Sequence, residues 1–321
     1  MTGASESRHG VQLWADPGTC DRLPAAFAEV HNSSRVLEQQ SFSVPLPDLE
    51  PGDMVVPSFS ALASEPWQFQ CSLNEISLPQ VPSKATAQTG PSTVRHAKLA
   101  THLDWFEVLE PLARPTLQIT TSAAAAHSAH LLGISIRPLH QATPHHTRIA
   151  TTHTAEPPGI SQQQASVDIR GRICSPTALT MVLQHLGLNP DWLTLVEACR
   201  DPATGMYGLW PLCILRAAEA GALGMVRTFN SWQDVVPLLA AGLPLVASIR
   251  YASGALPGAP MASTAGHLVV VYGVDDDWVL VNDPAAPEHG SVPRRYPREA
   301  FERAWFDHRG AGYVLIAPRF L

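Results

Sequence analysis

The chain has 321 residues, which is long enough for two domains or for one large domain. Hydrophobic residues make up 45% of it and charged residues only 15%, so a sizeable buried core is expected. The formal net charge of −7 argues against a general nucleic-acid binder and against a protein that binds anionic membrane surfaces. No apolar stretch approaches the roughly 20 residues that cross a bilayer, so no membrane span is predicted.

The cysteines indicate free thiols rather than a disulfide framework, because their number is odd, their spacing is irregular and no C-x-x-C pair occurs. They are Cys20, Cys71, Cys174, Cys199 and Cys213. The first ten residues lack the basic start and the apolar core of a secretion signal. We therefore expect a cytoplasmic protein with reduced thiols. Cys199 and Cys213 fall inside apolar helical runs, which predicts that both are packing residues.

The first part of the chain, residues 1–155, is predicted to be an all-β accessory domain. Short extended runs, several of which alternate polar with apolar residues, are separated by loops that contain Pro or Gly. The predicted strands are 42–46, 54–56, 67–71, 105–109, 116–120 and 131–136. This pattern is typical of an antiparallel β-sandwich or jelly-roll. Residues 137–160 are rich in Pro, His and Thr and are predicted to be an exposed linker.

Six histidines in or near this linker raise the question of a metal site. They are His127, His130, His140, His145, His146 and His153. None has a cysteine or carboxylate partner at the spacing of a zinc site, so we predict no metal and no cofactor.

The second part, residues 156–321, contains helix-forming segments followed by strand-forming segments. Helices are predicted at 175–186, 191–200, 210–220 and 231–241, and strands at 244–250, 267–274, 278–283 and 312–317. Helices first and an antiparallel sheet afterwards is the order of an α+β domain.

The most informative motif is Cys174-Ser-Pro-Thr, at the start of the first of these helices. Ser175 is the expected N-cap, Pro176 suits the first turn, and Gly187 is the expected stop. Cys174 would then lie at the positive end of the helix, where free N–H groups and the helix dipole favour a thiolate. The pattern therefore predicts a nucleophilic cysteine.

A base for this cysteine is predicted in a β-hairpin further along the chain. His267 begins an apolar β-branched run, the acidic turn 275–277 follows, and residues 278–283 form the second run. Folding back near residue 275 or 276 puts His267 opposite, or nearly opposite, Asp283. If the numbers of two paired residues add up to an even value, His267 and Asp283 lie on the same face of the hairpin. If they add up to an odd value, Asn282 lies there instead. We favour Asp283 as the residue that orients the imidazole.

Together these segments resemble the C39-like cysteine peptidases, a papain-like family. The matching segments are Cys174-Ser-Pro-Thr with its helix, Gly266-His-Leu-Val-Val, Val281-Asn-Asp-Pro-Ala and Gly159-Ile-Ser-Gln. The resemblance covers roughly residues 158–321 and implies that Gln162 is an oxyanion-hole donor. Gln163 and Gln164 follow directly, so all three glutamines stay open for that role. Ser175 stands where the family usually has glycine.

The resemblance implies an α+β architecture, in which a papain-like cysteine peptidase domain follows the all-β sandwich or jelly-roll domain. It also implies that Cys174 and His267 form a thiolate–imidazolium pair and that an acyl-enzyme thioester forms on Cys174. Peptide or acyl compounds are the expected substrates. Trp210 and Tyr251 are predicted to line the substrate cleft.

Three functions stay open at this point. Attack of water on the thioester makes a peptidase or amidase, which is the function that the resemblance implies. Attack of an amine, alcohol or carbanion makes an intracellular acyltransferase or cyclase that uses the same triad. The third alternative is a catalytically silent binding module whose sandwich engages a partner. Retention of all four site residues argues against this last alternative.

Overall fold

The computed structural model describes residues 9–27, 30–32, 40–84, 92–141 and 148–317 of the chain. Three β-sheets organise these residues, two in the first part of the chain and one in the second. The longer helices all belong to the second part, where they accompany the third sheet. The predicted α+β class is therefore confirmed.

The strands of the first part form one seven-stranded and one four-stranded sheet. In chain order they are β1 (Gly10–Ala15), β2 (Val30–Asn32), β3 (Ser41–Pro45), β4 (Asp53–Ala61), β5 (Phe69–Leu73), β6 (Ile76–Ser77), β7 (Thr93–Arg95), β8 (Leu99–His102), β9 (Phe106–Val108), β10 (Thr116–Thr121) and β11 (His130–Pro138). The larger sheet has the order β2-β1-β11-β4-β9-β8-β7 and the smaller one the order β3-β10-β5-β6. Two short helices, α1 (Pro17–Cys20) and α2 (Ala123–Ala126), lie between the strands in sequence.

A hydrophobic core lies between these two sheets. In β10, Leu117, Ile119 and Thr121 are buried while the residues that alternate with them are exposed. Phe59 of β4 meets Phe69 of β5 with 5.8 Å between the ring centroids. Because side chains of a strand point alternately to its two faces, this alternation places one face of each strand in the shared core.

Within the described residues, the second part of the chain forms a seven-stranded antiparallel sheet and five α-helices. Its strands are β12 (Thr152–His153), β13 (Leu223–Thr228), β14 (Leu245–Tyr251), β15 (Thr264–Val274), β16 (Trp278–Asn282), β17 (Pro293–Pro297) and β18 (Ala311–Ile316). Its helices are α3 (Cys174–His185), α4 (Trp192–Ala198), α5 (Trp210–Glu219), α6 (Trp232–Ala240) and α7 (Arg298–Trp305). The sheet has the order β13-β18-β14-β15-β16-β17, and β12 pairs with β15.

The four helices predicted in this part are α3 to α6, with ends that differ by one or two residues from the sequence pattern. The pattern did not predict α7, β12, β13 or β17. β17 begins and ends with proline, and proline is tolerated there because the strand lies at the edge of the sheet. β13 is buried at five of its six residues, so it lacks the polar–apolar alternation by which a strand is recognised.

Serine side chains of the first part cover the outer edge of β13. Ser60 Oγ donates to the Gly224 carbonyl at 2.7 Å and accepts from the Gly224 N–H at 3.0 Å. Ser58 Oγ accepts from the Val226 N–H at 3.0 Å. Ser135 Oγ accepts a further backbone N–H of the same strand at 3.1 Å. The polar groups of this edge strand are thus satisfied by side chains instead of by another strand.

Arg137 of β11 anchors a loop of the second part to the first. Its buried guanidinium donates from Nη1 to the Phe229 carbonyl at 2.8 Å and from Nη2 to the Phe306 carbonyl at 2.7 Å. Burial lowers the pKa of Arg137 to about 10, so the group is still charged at neutral pH. Gly310 approaches it closely: a Cβ there would lie 1.7 Å from Nη1, and the φ of +58° also favours glycine. The loop before β18 is therefore held in one position.

Candidate active site

Cys174 is the first residue of α3, one residue earlier than the sequence predicted. The prediction that Ser175 is the N-cap is wrong, because Ile173 takes that position. Ser175 is instead buried, and its Oγ meets Tyr313 Oη at 2.8 Å and Cys213 Sγ at 3.3 Å. The serine hydroxyl has turned into the core, so backbone N–H groups alone form the start of the helix. Cys174 itself is partly exposed.

His267 and Asp283 meet across the β15–β16 hairpin. The register pairs Val270 with Asn282 and Val271 with Val281, and both sums are even, so His267 and Asp283 share a face. His267 Nε2 lies 2.7 Å from Asp283 Oδ1, and both side chains are buried. This contact leaves Nδ1 of the ring for the Cys174 sulfur.

Asn282, the alternative to Asp283, makes a different contact. Its Nδ2 donates to the Pro157 carbonyl at 2.8 Å, so the amide connects β16 to the segment that precedes α3. A bulge at Tyr272 shifts the register by one residue, but it lies nearer the turn than His267 and leaves the face of His267 unchanged.

Asp283 has two further donors, and the sequence predicted neither of them. Tyr296 Oη of β17 donates to Oδ2 at 2.6 Å, and the Ala285 N–H donates to Oδ1 at 2.8 Å. Tyr296 is fully buried and stacks on Phe301 of α7. Both carboxylate oxygens are therefore held in place, and the ring of His267 is oriented with them.

The ionisation of this group of side chains favours a charged pair. Burial raises the pKa of the Cys174 thiol, but the hydrogen bond and positive charge of His267, with the Leu268 and Ser175 N–H groups, lower it below its usual value. Burial lowers the pKa of His267, whereas Asp283 and Cys174 together raise it to about 10. Burial likewise raises the pKa of Asp283, which His267, Tyr296 and Ala285 bring below its usual value. These shifts all act in favour of a thiolate, an imidazolium and a carboxylate.

Gln162 lies beside the carboxylate end of this group. It begins the short 3₁₀ helix Gln162–Gln164, and its N–H donates to the Pro284 carbonyl at 2.8 Å. Its Nε2 donates one hydrogen to the Arg170 carbonyl at 2.8 Å, which leaves the second N–H of the amide for another acceptor. Gln162 is buried, whereas Gln163 is partly exposed and Gln164 is exposed.

The two residues predicted to line the cleft are largely covered. Trp210 is 4% exposed and Tyr251 is 5% exposed. Tyr251 Oη donates to the Met261 carbonyl at 3.1 Å, and the Arg309 guanidinium lies over the Trp210 ring at 5.7 Å from its centroid. Their contact with substrate stays a prediction.

The described residues contain neither a metal-binding cluster nor a helix that could span a membrane. No group of three or more His, Cys, Asp and Glu side chains among them is arranged to hold a metal ion. None of their helices has both the length and the apolar character needed to cross a membrane. His145 and His146 lie outside the described residues.

A helix that begins at a cysteine, set against an antiparallel sheet that carries a histidine, is the fold of the papain-like cysteine peptidases. Residues 155–313 match the model of the Peptidase_C39 like family. The second part of the chain thus belongs to the C39-like cysteine peptidases. A comparison with curated proteins gave no match.

Three solved structures are similar to the chain at low sequence identity. A C39-like peptidase from Bacillus anthracis is 20% identical, with 52% of this chain and 98% of that chain covered and a TM-score of 0.41. A double glycine motif protease from an AMS/PCAT transporter, solved with its leader peptide, is 17% identical, with 53% and 99% covered and a TM-score of 0.37. Procathepsin L 3 from the larval midgut of Tenebrio molitor is 10% identical, with 56% and 74% covered and a TM-score of 0.28.

Proposed function

We propose that the chain is a peptide hydrolase whose nucleophile is the Cys174 thiolate. One observation carries the proposal: the buried His267 contacts Asp283 through Nε2 at 2.7 Å, and the same imidazole lowers the pKa of the Cys174 thiol. A buried imidazole with a raised pKa, next to a thiol with a lowered pKa, is the arrangement that activates a cysteine nucleophile.

In the first step, the Cys174 sulfur attacks the carbonyl carbon of a peptide bond and the carbonyl oxygen becomes an oxyanion. The Cys174 N–H lies in the first turn of α3, where no intrahelical acceptor exists, and is one donor to that oxyanion. The second N–H of the Gln162 amide is the other donor. Loss of one such donor typically costs about 10²–10³ in rate.

In the second step, the imidazolium of His267 gives its proton to the leaving amine while the C–N bond breaks. The acyl group stays on Cys174 as a thioester. Neutral His267 then takes a proton from water, the hydroxide attacks the thioester, and the carboxylic acid leaves as the thiolate forms again. Asp283 stays ionised throughout and stabilises the imidazolium, since three donors hold its carboxylate.

The proposal is tested by selective alkylation and by trapping of the acyl-enzyme. We expect iodoacetamide to label Cys174 near pH 7 well before the other four cysteines and to abolish cleavage of a mixture of synthetic peptides. Mass spectrometry of rapidly quenched reactions should find the acyl group on Cys174. Equal, slow labelling of all five thiols with no cleavage would contradict the proposal and favour the binding module. Acyl transfer to an added amine that outruns hydrolysis would instead support the acyltransferase.

A further inference from the structure

Two arginines lie at the same end of the sheet as His267, on the side away from Asp283. Ile249 of β14 is the cross-strand neighbour of His267, and Arg250 follows Ile249 directly. Arg309 is in the loop before β18, which is the next strand beyond β14. Asp283 lies on the β16 side of His267, whereas Arg250 and Arg309 belong to the β14 and β18 side of the sheet.

The two arginines border a small pocket next to the catalytic histidine. Ile249, Arg250, Gly266, His308 and Arg309 line it, and Gly266 is the residue directly before His267. Its volume is ≈ 20 Å³, which is room for about one or two water-sized groups. A carboxylate has that size, whereas an aromatic side chain does not.

The Arg309 guanidinium lies over two indole rings. It lies 5.5 Å from the ring centroid of Trp105 and 5.7 Å from that of Trp210. Trp105 precedes β9 in the first part of the chain, so the accessory sheets help to build this end of the site. A guanidinium is planar and presents its N–H groups as a fork, which suits bidentate contact with a carboxylate.

Neither arginine forms an ion pair within the part of the chain that the structure describes. Arg309 makes no hydrogen bond or ion pair there beyond its ring contacts. Arg250 donates from Nε to the Ala265 carbonyl at 2.8 Å, and its two terminal amino groups have no acceptor among these residues. Burial and the charge of Arg250 lower the pKa of His308, which disfavours a third positive charge here.

One acidic residue from the accessory part faces Arg309. Asp104 Oδ2 accepts a hydrogen bond from the backbone N–H of Trp210 at 3.3 Å, but Asp104 forms no ion pair with Arg309. Burial raises the pKa of Asp104 to about 6, although the Trp210 N–H and the charge of Arg309 act in the opposite direction. Asp104 is therefore ionised at neutral pH and weakens the field of Arg309 without occupying its N–H groups.

We propose that Arg309 and Arg250 bind a carboxylate of the substrate beside the scissile bond, so that the chain prefers acidic peptides. The inference rests on the proposed function, because it assigns the substrate class of the same site. The carboxylate is either the side chain of an Asp or Glu residue or the C-terminal carboxylate of a peptide.

The test uses the full chain and a synthetic peptide library in which each peptide exists with Glu, with Gln, as the free C-terminal acid and as the C-terminal amide. We expect cleavage of one acidic form to exceed that of its neutral partner by about tenfold in kcat/KM, as is typical of one charge-assisted hydrogen-bonded contact. Preference for Glu over Gln identifies a side-chain carboxylate. Preference for acid over amide identifies the C-terminus.

A second measurement does not depend on turnover. Inactivation of Cys174 by bromoacetyl-glutamate and by bromoacetyl-glutamine compares a charged with a neutral reagent of the same size. We expect the charged reagent to react faster with the wild-type chain, and the ratio of the two rates to fall towards one in Arg309→Gln and in Arg250→Gln. Arg309→Lys should keep part of the preference, because it keeps the charge and loses the planar fork.

Asp104→Asn is the matched variant with the opposite expected sign. It retains an acceptor for the Trp210 N–H but removes the negative charge that opposes Arg309, so the preference for the acidic partner should increase. A purely structural role of Asp104 or Arg309 would change the rates of both partners equally and leave their ratio unchanged.

The outcomes separate the two proposals. Cleavage and selective Cys174 labelling without any acidic preference overturn this inference and leave the proposed function intact. The inference is also overturned, and the proposed function left intact, if the preference for the acidic partner is unchanged in both Arg309→Gln and Arg250→Gln. Absence of Cys174-dependent cleavage together with slow, equal labelling of all thiols refutes the proposed function, and the inference falls with it.

Discussion

Cys71 and Cys174 show how the same side chain is treated in two regions of the molecule. Cys71 lies on β5 in the core of the first part, where burial alone raises its pKa to about 12. Burial acts on Cys174 in the same direction, yet its pKa is below the usual value because His267 and two backbone N–H groups favour the thiolate. The polar and charged neighbours of each cysteine therefore decide the direction in which its pKa is shifted.

Removal of each sulfur in turn should produce the largest difference between the two cysteines. Cys174→Ala should lower kcat for peptide cleavage by a factor on the order of 10⁶, because no nucleophile is left. Cys71→Ala should keep kcat and lower the free energy of unfolding by about 1 kcal/mol through the loss of core packing. Peptide cleavage assays and denaturant titrations check both expectations. Substantial activity in Cys174→Ala would end the proposal for its role.

Removal of the imidazole should make Cys174 resemble Cys71. In His267→Ala only the Leu268 and Ser175 N–H groups still oppose the raising effect of burial on the Cys174 pKa, so we expect the thiol to be favoured at neutral pH. We expect a fall in kcat on the order of 10⁴ and slow alkylation of Cys174 at pH 7. Alkylation that stays fast in this variant would show that the helix start alone stabilises the thiolate.

Removal of the carboxylate charge tests whether His267 depends on Asp283. Asp283→Asn should lower kcat about 10²-fold and leave a measurable remainder, since the amide still holds the ring but no longer stabilises the imidazolium. The neighbouring variant Asn282→Ala is the control. It should keep kcat and reduce stability by about 1–3 kcal/mol, because the buried Pro157 carbonyl loses its donor. A larger loss of kcat in Asn282→Ala would reverse these assignments.

The alkylation rates of the two cysteines in the wild-type chain should also differ in their dependence on pH. Cys174 should be alkylated at a constant rate above its lowered pKa, and the rate should fall about tenfold per pH unit below it. Peptide cleavage should also fall on the alkaline side near pH 10, where His267 loses its proton. Cys71 should stay unlabelled across this range unless the chain unfolds. A rate for Cys174 that rises steadily to pH 9 would contradict the thiolate–imidazolium pair.

The smallest expected effect is that of Tyr296→Phe, which removes one donor from Asp283 and keeps the buried ring. The Asp283 carboxylate, whose pKa is lowered in the folded chain, contributes stability above its unfolded pKa, and that stability is lost as pH falls through the folded pKa. The variant raises the folded pKa, so we expect a loss of about 1 kcal/mol at neutral pH and a smaller stability difference between pH 7 and pH 3. Melting temperatures at the two pH values of wild type and variant provide the measurement.

Local sequence patterns predicted the parts of the site that depend on nearby residues. The position of Cys174 at a helix start followed from the apolar periodicity and Pro176, with an error of one residue. The shared face of His267 and Asp283 followed from the two-residue period of strands and a short hairpin. These features are set within about twenty residues of chain, so periodicity is enough to find them.

The parts that could not be predicted depend on contacts between distant segments. Tyr296 reaches Asp283 only because the strand Pro293–Pro297 pairs with β16, and its two prolines and two arginines do not resemble a strand. Asp104 and Trp105 approach Arg309 across the two parts of the chain. No local pattern contains such a contact, because it follows from how the sheets pack.

The serine-covered edge of β13 has a consequence for attempts to isolate the second part of the chain. If the chain were cut after the accessory sheets, the N–H and C=O groups that Ser58, Ser60 and Ser135 now satisfy would face water along an apolar strand. An uncovered strand of this kind recruits strands from other copies. The excised half should therefore self-associate through β13, and adding the accessory half back should disperse it.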